Sequence, residues 1–234
     1  MRRILLNSSS ACHGYGYMDH CESAVRQVFR GVERVLFVPY ALKDWDGYAR
    51  KVATRLAAMG LATESLHEAV DPKAAVRAAA GIFVGGGNTF RLLRRMQELD
   101  LLVPIREAVD RGVPYMGSSA GSNLACPTIM TTNDMPIVRP ETFSALGLVP
   151  FQINAHYLDP DPGSTHQGET RETRLREYLE ENDRVVVGLR EGCWLSVEGE
   201  VMTLGGHTNA RIFRRDVDPE EVVSGTDLSR FLTC

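Results

Sequence analysis

The segment M-G-S-S-A-G-S, residues Met116–Ser122, determines how the rest of the chain is interpreted. The apolar run Pro114–Met116 leads into it. The segment has the pattern G-x-S-x-G and ends in small residues that begin a predicted helix. A serine at a sharp strand-to-helix turn exposes its hydroxyl, and the next backbone N–H faces the position where a tetrahedral oxyanion forms. Glycine tolerates so tight a turn against a neighbouring helix. The segment therefore predicts a nucleophile elbow with Ser119 as the nucleophile, although ordinary Gly/Ser loops share the pattern.

Length and composition indicate an ordinary globular protein. The 234 residues are 44% hydrophobic and 24% charged, which suits one domain with a full core and is short for two. We therefore expect a single α/β catalytic domain over residues 1–234. The net charge of −4 and the lack of a long basic run argue against nucleic acid and anionic membranes as partners. The sequence does not fix the oligomeric state, which is expected to be a monomer or a homodimer.

The cysteines and the apolar runs predict a cytoplasmic location. The cysteines are odd in number, scattered and without a C-x-x-C pair, which favours a reducing compartment over a disulfide framework or a zinc site. They are Cys12, Cys21, Cys126, Cys193 and Cys234. The first apolar run, Ile4–Leu6, is too short for a signal-peptide core, and no stretch approaches the length of a membrane span.

The histidines outside the segments discussed below show no metal-binding spacing such as H-E-x-x-H, so no metal site is predicted. We interpret them as surface or structural residues. They are His13, His20, His67, His166 and His207.

Short apolar runs alternate with helical patterns over the first two thirds of the chain, which is typical of βαβ units and a mostly parallel sheet. Asp44 is a predicted N-cap for a helix from Trp45 to Met59, and Asp71-Pro72 predicts the start of an Ala-rich helix. Later strands are predicted at Phe151–His156 and Val185–Gly188, and helical spacing extends over 168–181. A β-hairpin is predicted from Cys193–Val197 and Val201–Leu204.

Polar segments follow four of the predicted strands: Gly85–Thr89, Ser118–Ser122, the loop that starts at His156, and Arg190–Gly192. Ligands bind at the carboxyl ends of strands in a doubly wound sheet, so these segments are expected to meet. A serine hydroxyl becomes nucleophilic when an imidazole removes its proton, and that imidazole needs an acceptor on its other nitrogen. The chain order of serine, histidine and acid differs from that of α/β-hydrolases.

Two carboxylates compete for the role of that acceptor. Glu191 follows a predicted buried strand, whereas Asp134 lies in the polar loop 133–136 and has the alternative role of ordering it. The triple glycine Gly85–Gly87 offers a second oxyanion donor near a helix N-terminus. A phosphate-binding loop is the weaker interpretation, because neither G-x-x-x-x-G-K-[ST] nor G-x-G-x-x-G is present.

Five blocks of the sequence match one family in order. They are the elbow (117–121), I-F-V-G-G-G-N-T-F (82–90), A-C-P-T-I-M-T-T-N-D-M-P-I-V (125–138), Q-I-N-x-H (152–156) and G-E-T-R-E-x-R (168–174). Together they resemble peptidase E, the α-aspartyl dipeptidase family of serine peptidases. The resemblance implies cytoplasmic hydrolysis of dipeptides with an N-terminal aspartate, Asp-X, without a cofactor. It also implies a three-layer α/β sandwich of the class I glutamine-amidotransferase type with a mostly parallel sheet.

The resemblance also implies roles for single residues. Ser119 is expected to be the nucleophile and His156 the base, while the N–H groups of Gly87 and Ala120 would bind the oxyanion. The family's third catalytic residue has been assigned both to the Asp of N-D-M-P, here Asp134, and to the Glu of E-G. The second of these is Glu191, which we favour because of its predicted position at a strand end.

The same resemblance suggests how the substrate is held. Arg171 matches the family's specificity segment, and arginine is suited to bind the aspartyl carboxylate with two hydrogen bonds. We infer that Glu169 helps to receive the free α-ammonium group, and Asn88 is a further candidate for substrate binding.

Three residues depart from the family pattern: Ser118 stands where a bulky Trp is common, and Ala155 and Arg190 each replace a proline. A smaller Ser118 is expected to widen the pocket, and Arg190 to add positive charge near it. Substrate range is therefore open to two alternatives. These are a related serine hydrolase of the cyanophycinase type and a non-catalytic binder on the same fold.

Overall fold

The computed structural model describes residues 1–161, 163, 165 and 167–233. The predictions for His166 and Cys234 therefore lie outside the described residues. Within the described ranges, no helix is long and apolar enough to cross a membrane.

The chain forms a mixed α/β structure with two sheets. Its strands are β1 (Arg3–Asn7), β2 (Arg34–Val38), β3 (Ala62–Ser65), β4 (Ile82–Val84), β5 (Tyr115–Ser118), β6 (Gln152–Ala155), β7 (Val186–Leu189), β8 (Cys193–Glu198), β9 (Val201–Gly206), β10 (Ala210–Arg214) and β11 (Val217–Val222). Its helices are α1 (Glu22–Val28), α2 (Trp45–Ala58), α3 (Pro72–Ala78), α4 (Thr89–Glu98), α5 (Leu102–Asp110), α6 (Ala120–Ala125) and α7 (Arg171–Glu181).

The larger sheet has seven strands in the order β3-β2-β4-β5-β1-β8-β9. The neighbours from β3 to β1 pair in parallel, and β8 and β9 add the predicted hairpin in antiparallel register. The carboxyl ends of β1, β4 and β5 therefore lie side by side. This places the loop after β1, the triple glycine and the elbow at one edge of the sheet.

Helices cover both faces of this sheet because successive residues of a strand point to opposite faces. Leu5 packs on one side with residues of α1 and α2, such as Val25 and Val52. Its neighbours Ile4 and Leu6 pack on the other side with residues of α3 to α6. The buried runs predicted as strands are thus buried from two directions, as parallel strands usually are.

Several predicted helix boundaries are confirmed by their caps. Asp44 accepts a hydrogen bond of 2.9 Å from the N–H of Gly47 at the start of α2. Asp71 accepts one of 3.0 Å from Ala74, with proline at the first position of α3. The helix predicted over 168–181 begins three residues later, because Thr170 is its N-cap.

The second sheet was not predicted. It has the order β11-β10-β7-β6, with β6 and β7 parallel and the other neighbours antiparallel. The expectation that all four polar segments follow strands of one doubly wound sheet was wrong, because β6 and β7 belong to this second sheet. Strand β11, V-D-P-E-E-V, carries three acids and a proline, which hides its strand character. The histidine and the favoured acid therefore approach the serine from a different sheet.

Candidate active site

The elbow has the strained geometry that its pattern predicts. Ser119 joins β5 to α6 with φ 51° and ψ −109°, a conformation that side-chain-bearing residues rarely adopt. Its N–H donates a hydrogen bond of 3.0 Å to the carbonyl of Asn7. A Cβ at Gly117 would overlap the carbonyl of Gly121, and a Cβ at Gly121 would overlap the carbonyl of Val84. The two glycines of the motif are thus required by the close approach of α6 to β4 and β5.

Three predicted residues form a continuous hydrogen-bonded chain. The Oγ of Ser119 lies 2.9 Å from Nε2 of His156, and Nδ1 of His156 lies 2.7 Å from Oε1 of Glu191. A carboxylate only accepts hydrogen bonds, so the proton is assigned to Nδ1 and Nε2 is left to accept from the serine hydroxyl. This is the arrangement in which an imidazole acts as a general base towards a serine.

Ser8, which was not among the predicted site residues, joins the two sheets next to these three residues. Its hydroxyl receives a hydrogen bond of 3.0 Å from the N–H of His156 and donates one of 2.8 Å to the carbonyl of Leu189. His156 has φ 54°, so its backbone is also in the left-handed region. The feature of the sequence that could have indicated a role for Ser8 was the polar run Asn7–Ser10, next to a predicted buried strand.

Asp134 lies elsewhere and orders a loop. Its carboxylate accepts hydrogen bonds from the N–H of Thr89 at 2.7 Å, from the hydroxyl of Thr89 at 2.5 Å and from the hydroxyl of Thr132 at 3.2 Å. These contacts stand at the N-terminus of α4, where a negative charge is favourable. The structure therefore brings Glu191, and not Asp134, to His156.

The loop between β4 and α4 lies against the serine and carries Gly87, one of the two predicted oxyanion donors; the other, Ala120, begins α6. A Cβ at Gly86 would come within 3.2 Å of the Cβ of Ser119. The N–H of Gly86 donates to the hydroxyl of Tyr48 at 2.8 Å, which anchors the loop. Neither Gly87 nor Ala120 donates its N–H to any acceptor among the described residues. Gly87 lines the same cleft as Ser119, and Ala120 is the next residue along the chain, so both amides without an acceptor in the described ranges lie near the nucleophile.

Asn88 has both ends of its carboxamide engaged. Its oxygen accepts from the N–H of Arg91 at 3.0 Å, which caps α4, and its nitrogen donates to the carbonyl of Met135 at 2.8 Å. These contacts join the glycine loop to the loop that contains Asp134.

Arg171 is a half-buried cation at the first position of α7. It forms no hydrogen bond or ion pair with any residue that the structure describes. Burial and the nearby Arg174 lower its pKa, against the opposite effect of Asp134. Glu169 pairs with Arg174 instead of Arg171: the distance from Glu169 Oε2 to Arg174 Nε is 3.3 Å. Neither Arg171 nor Glu169 lines the cleft beside the serine.

That cleft has a volume of about 410 Å³ and opens beside Ser119 and His156. Ser118 lies on its floor, where its hydroxyl is 2.6 Å from that of Ser10. Ser118 itself is fully buried, and the widening of the pocket by this small residue stays a prediction. The remaining lining residues come from the loops after β1, β2 and β4 and from α2; they are Ser9, Ala11, Tyr17, Leu42, Asp44, Gly47, Tyr48, Lys51, Gly86 and Gly87.

Arg190 was expected to add positive charge near the pocket, but two carboxylates compensate its charge. Its guanidinium donates to Asp159 at 2.7 and 2.8 Å and to Glu221 at 2.7 and 3.0 Å. It therefore adds no free positive charge to the pocket.

Metal-ligating side chains come together at one place in the described ranges, away from this cleft. These side chains are Asp46, His67 and Glu68. His67 already bonds to Ser65 at 2.6 Å and to Asp46 at 3.0 Å, so both of its ring nitrogens are engaged.

Comparison with known proteins gives consistent results. The model of peptidase family S51 matches residues 4–205. The chain is 54% identical over 229 residues to "Peptidase E" of Streptomyces coelicolor, covering 98% of this chain and 94% of that protein. It is 50% identical over 234 residues to "Probable alpha-aspartyl dipeptidase" of Drosophila melanogaster, covering 99% and 98%.

The fold is similar to that of a solved peptidase from an acI-B1 Actinobacterium. The two share a TM-score of 0.71 at 15% sequence identity, over 97% of this chain and 96% of that chain. At this identity the similarity concerns the fold alone.

Proposed function

Because the chain belongs to peptidase family S51, we propose that it hydrolyses dipeptides with an N-terminal aspartate through an acyl-enzyme on Ser119. The observation that carries the proposal is the hydrogen-bonded chain from Ser119 through His156 to Glu191. The names of its relatives, peptidase E and alpha-aspartyl dipeptidase, supply the substrate class.

In the acylation step, Ser119 Oγ attacks the carbonyl carbon of the aspartyl residue while Nε2 of His156 takes the hydroxyl proton. The oxygen of the tetrahedral intermediate is stabilised by the N–H groups of Gly87 and Ala120. The loss of one such donor typically lowers kcat by about 10²–10³-fold. His156 then returns the proton to the leaving amine of residue X, and the C–N bond breaks. Glu191 keeps the Nδ1 proton in place and stabilises the imidazolium.

Deacylation repeats the same steps with water. His156 removes a proton from a water molecule that attacks the aspartyl ester, and the proton passes to Ser119 Oγ as the ester bond breaks. Free aspartate leaves and the starting state is restored. The mechanism uses no cofactor.

Arg171 is the residue that we propose for the aspartyl carboxylate. Its support is a half-buried guanidinium without a carboxylate partner among the described residues. A bidentate arginine–carboxylate pair provides both charge and geometry for the selection of aspartate. Glu169 and Asn88 remain proposed binding residues.

We also propose that the chain is one catalytic domain with a three-layer architecture of the class I glutamine-amidotransferase type. The helices on both faces of the larger sheet support the layers, and its parallel neighbours from β3 to β1 support the sheet. A cytoplasmic location, a monomeric or homodimeric state and the absence of nucleic-acid partners remain predictions from the sequence.

A substrate panel tests the activity. The protein and its Ser119→Ala variant are incubated with Asp-Leu, Ala-Leu, N-acetyl-Asp-Leu and a multi-aspartate polymer, and products are quantified by chromatography. We expect cleavage of Asp-Leu alone, reduced about 10³-fold or more in the variant. Equal cleavage of Ala-Leu would contradict the specificity, and cleavage of the polymer would favour the cyanophycinase-like alternative. Full activity in Ser119→Ala would contradict the mechanism, and no cleavage of any substrate would favour a binder.

The two candidate acids are separated by matched amide variants. Glu191→Gln is expected to lower kcat by about 10²–10⁴-fold, because the imidazolium loses its counter-charge and the tautomer is disturbed. Asp134→Asn is expected to lower the melting temperature, since Thr89 and Thr132 lose a charged acceptor. The opposite pattern of kcat losses would assign the third catalytic role to Asp134.

A further inference from the structure

One face of α2 lines the cleft beside the nucleophile and ends in a lysine. The residues on this face are Asp44, Gly47, Tyr48 and Lys51, and their spacing of i, i+3, i+4 and i+7 follows one side of a helix. Tyr48 reaches the triple glycine through the N–H of Gly86 at 2.8 Å. The helix is therefore joined directly to the loop that flanks Ser119.

Lys51 is a cation that pairs with no carboxylate among the described residues. Its Nζ lies 4.1 Å from the centroid of the Tyr17 ring. In the part of the chain that the structure describes, it forms no ion pair and no hydrogen bond. The ring attracts the ammonium group and restricts the flexible lysine stem, but it leaves the three N–H donors unused.

The cleft is separate from the residues proposed for the aspartyl half of the substrate. Arg171 begins α7, Glu169 lies two residues before it, and neither residue lines the cleft. The glycine loop stands between the two regions: Gly86 and Gly87 line the cleft, whereas Thr89, two residues further on, holds Asp134. The cleft is thus available for the other half of a dipeptide, the leaving residue X.

A leaving residue in a dipeptide carries a free C-terminal carboxylate next to the amine that is released. The N-terminal end of the α2 face is already occupied by the Asp44 carboxylate, which accepts from Gly47 at 2.9 Å. A second carboxylate is repelled there and attracted at the other end, by Lys51. The walls between them include Leu42 and the ring of Tyr17, which suit an apolar side chain.

We propose that Lys51 binds the C-terminal carboxylate of residue X, so that this cleft forms the leaving-group subsite. The proposal rests on the proposed function. It explains how the protein distinguishes a dipeptide from a longer peptide, because a longer peptide presents a neutral amide to Lys51. The expected discrimination is about tenfold, the lower end for a hydrogen bond to a charged group, since the lysine is solvent-exposed.

The test compares Asp-Leu with its C-terminal amide on four proteins: wild type, Lys51→Met, Lys51→Arg and Lys43→Met. Methionine keeps the stem that packs on Tyr17, and Lys43 is a nearby exposed lysine outside the cleft. Wild type is expected to prefer Asp-Leu by about tenfold in kcat/KM, mainly through KM. Lys51→Met should remove this preference by lowering kcat/KM for Asp-Leu and leaving kcat/KM for the amide unchanged. Lys51→Arg and Lys43→Met should retain the preference.

An equal loss of kcat/KM for Asp-Leu and its amide in Lys51→Met would overturn the proposal and leave the proposed function intact. The same holds if wild type shows no preference for Asp-Leu over the amide. Cleavage of neither substrate by wild type would instead refute the proposed function. Calorimetric binding to Ser119→Ala and to the Ser119→Ala/Lys51→Met double variant separates the two cases without turnover. The single variant should bind Asp-Leu about tenfold more tightly than its amide, and the double variant equally. Equal binding in the single variant, or no binding, overturns the role of Lys51.

Discussion

Replacement of Arg190 by glutamine is expected to reduce stability and catalysis together. Arg190 directly precedes Glu191, and its guanidinium makes two hydrogen bonds each to Asp159 and Glu221. Asp159 follows His156 by three residues, and Glu221 lies in the edge strand β11. One side chain therefore holds the loops of both His156 and Glu191 against the second sheet. We infer that Arg190 is a positioning residue.

The magnitude follows from the exposure of the three side chains. Arg190 is 20% exposed, and the carboxylates of Asp159 and Glu221 are 45% and 47% exposed. Removal of one partner costs about 3–5 kcal/mol for a buried pair and about 0.2–1 kcal/mol for an exposed one. An intermediate network gives about 2 kcal/mol, which lowers the melting temperature of a chain of this size by about 4–8 °C. Displacement of Glu191 should lower kcat about tenfold with KM unchanged.

Scanning calorimetry measures the first effect, and initial rates with Asp-Leu measure the second. Arg34→Gln is the matched control, because its pair with Glu64 is 60% and 58% exposed and lies at the start of β2, at the opposite end of that strand from the site. The control should change stability by less than about 0.5 kcal/mol and leave kcat unchanged. An unchanged kcat in Arg190→Gln would refute the positioning role even if the melting temperature fell. An unchanged melting temperature would show that the ion pairs do not stabilise the fold.

Three further predictions concern acid stability, the elbow and the glycine loop. Hydrogen bonds from Arg190 lower the pKa of Asp159; this contribution is full above the ordinary aspartate pKa and is lost as pH falls through the lowered value. The difference in melting temperature between wild type and Arg190→Gln should therefore shrink on acidification, and a constant difference would contradict the linkage. Gly121→Ala should lower the free energy of unfolding by about 3 kcal/mol in urea titrations, the upper end of the usual range for overpacking, because its Cβ would overlap a carbonyl of β4. Tyr48→Phe removes the acceptor of the Gly86 N–H and should lower kcat about tenfold with an unchanged circular dichroism spectrum; full activity would show that the glycine loop is held by other contacts.

Features that depend on a few neighbouring residues could be predicted from the sequence. The caps at Asp44 and Asp71 are local, since each side chain bonds to a backbone N–H three residues later. The strand-to-helix turn at Ser119 follows from the glycines at Gly117 and Gly121, which alone fit the close contact of α6 with its neighbouring strands. The alternation of strands and helices before the elbow follows from hydrophobic periodicity, which also depends only on residues close together in the chain.

Contacts between distant parts of the chain could not be predicted in this way. Ser8 joins His156 to Leu189 across more than 140 residues of sequence, and nothing in the polar run after β1 indicates which partner its hydroxyl meets. Arg190 was expected to add positive charge near the pocket, but Asp159 and Glu221 compensate that charge. Both carboxylates belong to segments whose position is fixed by the second sheet.

The choice between Glu191 and Asp134 shows what could not be predicted from the sequence. The chain by itself determined that a serine elbow, a histidine at a strand end and two candidate acids exist, because each follows from a short pattern. Only the tertiary structure decided which acid reaches the imidazole. β6 and β7 pair in parallel with Ala155 opposite Leu189, so His156, directly after β6, and Glu191, two residues after β7, emerge at the same edge of the second sheet. That pairing depends on hydrogen bonds between backbones more than 30 residues apart, which the spacing of polar residues along the chain does not encode.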